Sequence, residues 1–134
     1  MIKIFDNVVA PPTQIQIHKE LSALNYDQGE TDFVGGEVVG LTSELLHNTF
    51  TFNTLNNILI NVKELTNYPL IRTYVNKFEP EDKPFFHTDS DLDGRTVLYY
   101  SNNKPYSLEQ LGGTQFYIKD TEEIKEVLSI PGRI

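Results

Sequence analysis

The sequence predicts an α+β domain, helices first and a run of short antiparallel strands after them. Two observations lead there. Apolar residues repeat at helical spacing through the first half of the chain. After Pro69, runs rich in β-branched and aromatic residues alternate with clusters of Gly, Pro, Asn and Asp. Helices followed by consecutive strands is the α+β order. At 134 residues the chain suits one domain, with a core that needs no disulfide staple.

The first helix is expected to start at Pro11-Pro12-Thr13, because proline is tolerated in a first helical turn. Ile17, Leu21 and Leu24 then form one apolar stripe, and Asn25 and Gly29 suit its exit. Four glycines between Tyr26 and Gly40 predict a loop with a short strand, and Thr42–Asn48 suits a short helical turn. The second helix carries the clearest period. Leu55, Ile58, Leu59, Val62 and Leu65 share one face. It should stop near Asn67, since Pro69 pushes Tyr68 away from helical angles.

Strands are then expected at Leu70–Phe78, Phe85–Asp89, Thr96–Ser101, Thr114–Ile118 and Ile124–Ile130. Between them lie the polar stretch 79–84, Asn102-Asn103-Lys104-Pro105, Gly112-Gly113 and Lys119-Asp120-Thr121. Pro131-Gly132 is a turn, and Arg133-Ile134 read as the start of a further strand.

Composition removes several function classes. The net charge of −8 argues against nucleic acid, because phosphate binding needs a basic face. No apolar run reaches the roughly 20 residues a membrane span requires. The opening Met1-Ile2-Lys3-Ile4-Phe5-Asp6 lacks the apolar core of a secretory signal, so a cytoplasmic location is expected. The absence of cysteine excludes thiolate metal sites and cysteine nucleophiles. A metal would have to be held by Asp, Glu or one of His18, His47 and His87.

The residues that carry chemistry lie between Phe85 and Tyr117. His87 and Asp89 are two apart, so on a strand they share a face and can converge on one ion. With a second His, that pair would make the two-His-one-carboxylate facial site of non-haem iron(II). By itself His-x-Asp is a common pair with an ordinary surface explanation. Its neighbourhood is more specific. Pro84-Phe85-Phe86-His87-Thr88-Asp89 is followed by Gly94-Arg95-Thr96-Val97-Leu98-Tyr99-Tyr100-Ser101-Asn102, and then by Leu111-Gly112-Gly113-Thr114-Gln115-Phe116-Tyr117. These three blocks, in this order, resemble the iron(II)- and 2-oxoglutarate-dependent dioxygenases, and within them the prolyl 4-hydroxylase-like group. The resemblance runs from about Tyr74 to Ile134.

The resemblance implies a double-stranded β-helix, a jelly roll with the N-terminal helices packed on one sheet. It implies iron(II) as cofactor, 2-oxoglutarate as cosubstrate and ascorbate as an optional reductant. His87 and Asp89 match the first two iron ligands. Tyr74 matches a tyrosine that points into the cofactor pocket, and Tyr100 one that hydrogen-bonds the far carboxylate of 2-oxoglutarate. Tyr99, on the opposite face of that strand, reads as a core aromatic. Gly112-Gly113 matches a glycine pair before the next strand. The activity implied is hydroxylation of an unactivated C–H bond in a prolyl or other protein side chain, or in a small metabolite.

The family's third ligand is a His on a later strand, followed by a basic residue for 2-oxoglutarate. No residue after Ile134 supplies either, and His18 and His47 do not match the position. The expectation is a single, incomplete dioxygenase domain over 1–134. Residues 1–69 would be the helical support and 70–134 the jelly-roll strands, with the C-terminal strands missing and no oxygenase activity in this chain alone. Two other classes compete. Asp89-Ser90-Asp91-Leu92-Asp93-Gly94 fits the start of an EF-hand loop, but the twelfth position, a Glu in true EF-hands, is Tyr100. A non-catalytic jelly-roll binding module, or a degenerate homologue, would share the architecture without the chemistry.

Overall fold

A computed structural model describes residues 1–29, 35–82, 84–88, 93–102 and 112–134. It is a mixed α/β structure with two α-helices and antiparallel sheets. The chain divides into two compact units, one of residues 1–18 with 97–134 and the other of residues 19–96.

Helix α1 spans Pro11–Ser22. Ile17 is fully buried and Leu21 nearly so, which places the expected stripe inward. The helix ends in tight turns, Ala23 N–H donating to Glu20 and Leu24 N–H to Leu21. The Tyr26 hydroxyl donates to the same Leu21 carbonyl at 2.8 Å, a second bond on the last turn of the helix.

In the 19–96 unit, β1 (Asp27–Gln28), β2 (Leu41–Glu44) and β3 (Tyr74–Lys77) form an antiparallel sheet in that order. β2 corrects the first part of the helical turn expected at Thr42–Asn48, and a turn remains at residues 47–48. Its Thr-Ser-Glu run has no strong preference of its own, and pairing with β3 from Leu41↔Lys77 to Glu44↔Tyr74 makes it a strand. Gly40 leads into it with φ +73, and a Cβ there would lie 2.6 Å from the Phe78 ring.

Helix α2 covers Phe50–Leu59 and a 3₁₀ turn follows at Lys63–Leu65, so the expected single helix is broken after Leu59. Asn56, Asn57 and Asn61 cluster at the break. Asparagine side chains compete for helix carbonyls, and Asn61 Nδ2 donates to the Asn57 carbonyl at 2.8 Å. The other end is well capped. Thr49 Oγ1 accepts from Phe52 N–H, and the Glu20 carboxylate accepts from Phe50 N–H at 3.0 Å and Thr51 N–H at 2.6 Å. Thr51 is itself buried, and its hydroxyl donates to the same carboxylate.

In the other unit, β4 (Gly113–Ile118) and β5 (Glu123–Leu128) form a hairpin with register Gly113↔Leu128 through Ile118↔Glu123. Exposure alternates along β4, and Val127 is buried. The turn places Glu122 in the left-handed region at φ 55. Val9, Ile17 and Val127 are the buried apolar side chains of this unit among the described residues.

Two expected strands do not appear as ladders. The described residues 84–88 and 94–102 carry no strand. The second segment is nevertheless anchored residue by residue. Tyr100 N–H donates to the Arg133 carbonyl and Gly132 N–H to the Tyr100 carbonyl, both at 3.0 Å. His18 Nδ1 lies 2.7 Å from the Ser101 carbonyl oxygen, and Asn102 Nδ2 donates to the Ser129 carbonyl and hydroxyl.

Candidate functional site

Tyr100 is the best-positioned of the sequence-predicted site residues. Its backbone is held on both polar groups by the 132–133 turn, and its hydroxyl donates to Thr114 Oγ1 at 2.8 Å. Thr114 stands on β4 immediately after Gly113. A Cβ at Gly113 would lie 2.9 Å from the Val127 carbonyl oxygen, whereas one at Gly112 would meet nothing within 4 Å. Of the pair, Gly113 is therefore the glycine needed, for close approach across the hairpin. Two of the three sequence blocks thus meet in one unit through a phenol and a threonine hydroxyl. Tyr99 is half-buried, and desolvation pushes its phenol pKa up, in keeping with a packing role.

Tyr74 and His87 lie in the 19–96 unit. Tyr74 opens β3 opposite Glu44 and is about 40% exposed, with the Arg72 guanidinium 4.4 Å from its ring centroid. His87 is exposed, and its Nδ1 lies 3.0 Å from the Phe85 carbonyl oxygen. With Nδ1–H as the donor, the imidazole lone pair sits on Nε2. A backbone carbonyl that sets the tautomer in this way is the usual companion of a metal-binding histidine. Asp89, its expected partner, lies outside the described residues, as do residues 90–92 of the acidic loop. A histidine and a carboxylate fit a borderline divalent ion such as iron(II) in donor chemistry. Among the described residues, no three His, Asp or Glu side chains gather as a metal site.

The other two histidines have different surroundings. His18 is partly buried on α1 and meets the Ser101 carbonyl. His47 lies in a turn, stacked on Phe52 with centroids 4.2 Å apart and planes 17° apart.

Sequence reasoning missed two carboxylates. The Arg133 guanidinium binds Asp6 through two nitrogens, Nε to Oδ1 at 2.7 Å and Nη2 to Oδ2 at 3.0 Å. That hydrogen bond and charge hold the Asp6 carboxyl below its ordinary range. For Glu20, burial pushes the pKa up, but hydrogen bonds from Thr51 and Phe50 outweigh it and the net shift is downward. Neither partnership leaves a local trace, because the partners are 127 and about 30 residues apart.

No known family model matches the sequence, and no curated protein or solved structure is significantly similar to it. The functional reading therefore stands on the residues themselves. Among the described residues no helix is long and apolar enough to cross a membrane.

Proposed function

We propose that this chain carries the iron(II)- and 2-oxoglutarate-binding part of a prolyl 4-hydroxylase-like oxygenase with a jelly-roll fold. The observation that carries the reading is the ordered set of three blocks: His87-x-Asp89, then Tyr99-Tyr100-Ser101-Asn102, then Gly112-Gly113-Thr114. The hydrogen bond from Tyr100 to Thr114 supports it, because it joins the second block to the third.

In this reading His87 and Asp89 hold the metal, His87 through Nε2. Tyr74 and Tyr100 face the cosubstrate, and the Tyr100 phenol turns from Thr114 to donate to a carboxylate. Bound iron supplies the activation of dioxygen. The overall reaction consumes 2-oxoglutarate, dioxygen and a C–H bond. It yields succinate, carbon dioxide and the hydroxylated product, one oxygen atom going to succinate and the other to the hydroxyl group. The substrate class is a prolyl or other protein side chain, or a small metabolite, and the chain works in the cytoplasm, where iron stays reduced.

A non-catalytic jelly-roll binding module is the second reading. What favours it is that, among the described residues, no three His, Asp or Glu side chains gather as a metal site. Calorimetric titration of 2-oxoglutarate into the protein with manganese(II) tests the proposal. Saturable binding is expected, weakened about tenfold or more by Tyr100→Phe or His87→Ala, as loss of a charge-assisted hydrogen bond or a ligand would do. Absence of binding, or binding indifferent to both substitutions, would overturn it.

A further inference from the structure

Residues 132–134 form the middle of a hydrogen-bonded stack. On one side they hold Tyr100, through Gly132 N–H and the Arg133 carbonyl. On the other side Phe5 and Ile134 exchange two backbone hydrogen bonds, at 2.8 and 2.9 Å, and Val8 N–H reaches the Gly132 carbonyl at 3.3 Å. One side-chain pair closes this outer layer, the two-nitrogen bond between Arg133 and Asp6. The Arg133 side chain is only 13% exposed, and its Nη1 also donates to the Leu128 carbonyl at 3.1 Å. Arg133 is therefore tied to the end of β5 as well as to Asp6. Gly132 sits at φ +76 against the Gln14 amide, and Gln14 in turn donates to Val9 at 2.7 Å.

Little apolar burial secures the outer layer. Phe5 and Ile4 are exposed, and Val9 is its buried residue. Three backbone hydrogen bonds and one ion pair are a modest hold, each worth little net in water. The middle layer is shared, so whatever loosens the outer side changes the support on the Tyr100 side.

We propose that residues 5–8 are a releasable strap, locked by the Asp6–Arg133 pair, whose release unclamps Tyr100. The strap itself is independent of any enzymatic reading. Its consequence for cosubstrate binding rests on the role proposed above for Tyr100.

Hydrogen exchange of the whole chain, resolved by residue, tests the lock. Asp6→Asn is expected to speed exchange at the amides of Phe5, Val8, Gly132 and Tyr100 by roughly three- to tenfold, the scale of one partly exposed ion pair. Amides inside the β4–β5 hairpin should keep their rates. Unchanged exchange at Phe5 and Val8 would overturn the lock. Faster exchange there with Tyr100 unaffected would overturn the coupling. A uniform rise that includes the hairpin would mean the pair merely stabilises the whole unit, and would overturn the strap. If the exchange pattern holds and 2-oxoglutarate binds no variant, the strap stands and the oxygenase reading fails.

Discussion

Each of the two compact units holds a carboxylate with defined partners, and the two carboxylates are used differently. Asp6 in one unit is half exposed and meets a guanidinium, ion against ion. Glu20 in the other meets no cation in its capping contacts. It receives two helix amides and the hydroxyl of Thr51, a residue with 1% of its surface exposed. A partly exposed ion pair contributes little when made and costs little when lost. A carboxylate that satisfies buried donors contributes through what would be stranded without it. The second arrangement is thus expected to matter more to stability, although the first looks stronger as a drawing.

Backbone strain gives the sharpest contrast between the units. Gly40 and Gly132 both have positive φ, but a Cβ at Gly40 would strike the Phe78 ring and the Lys77 carbonyl, whereas one at Gly132 would strike only the end of the Gln14 side chain. Gly40→Ala should therefore cost about 2–3 kcal/mol and Gly132→Ala about 1–2 kcal/mol by urea denaturation, strain common to both and a hard clash in the first alone. Equal losses would show that the Gln14 amide cannot move aside.

Glu20→Ala comes next, at about 2 kcal/mol, because it strands the first amides of α2 and the Thr51 hydroxyl. Asp6→Asn should cost about 0.5–1 kcal/mol, and the difference from wild type should shrink in 1 M salt, roughly a 3 Å screening length. The Glu20→Ala loss should be nearly salt-independent. If salt erased the Glu20 effect instead, the carboxylate would be acting through charge and not through the amides it caps.

Acid distinguishes the groups from their unfolded counterparts. Both carboxyls have folded pKa values lowered relative to the unfolded chain. Their contributions are present above the unfolded values, near 4, and are lost as pH falls through the folded ones. Thermal melting between pH 6 and 2 should show stability declining below about pH 4, with a shallower decline in the Asp6→Asn, Glu20→Ala double variant. A parallel decline would mean that other carboxyls dominate acid unfolding.

The β4–β5 hairpin could be read from the sequence because its signals are local: a glycine pair, alternation, and a Lys-Asp-Thr turn. The first helix was legible for the same reason, through Ile17 and Leu21. β2 was not, since its strand character comes from β3, whose paired residues lie 30 to 36 positions away. The anchoring of Tyr100, Ser101 and Asn102 was equally hidden, because His18, Ser129 and Arg133 reach them from distant parts of the chain. Of the candidate site, the ordered blocks were legible and the Tyr100–Thr114 contact was not, as alternation says which face a residue takes and not what it meets there.

The smallest expected effect on stability is the most informative about function. His87 is exposed, so His87→Ala should leave the stability of the metal-free protein unchanged within about 0.5 kcal/mol. The decisive measurement is the melting temperature with manganese(II), as a stable surrogate for iron(II), against calcium, in wild type and His87→Ala. The oxygenase reading predicts that manganese raises the wild-type value and that the variant loses this rise, because only binding to the folded state stabilises it. Calcium should do neither. A rise with calcium alone, or a manganese effect that survives loss of His87, would contradict it.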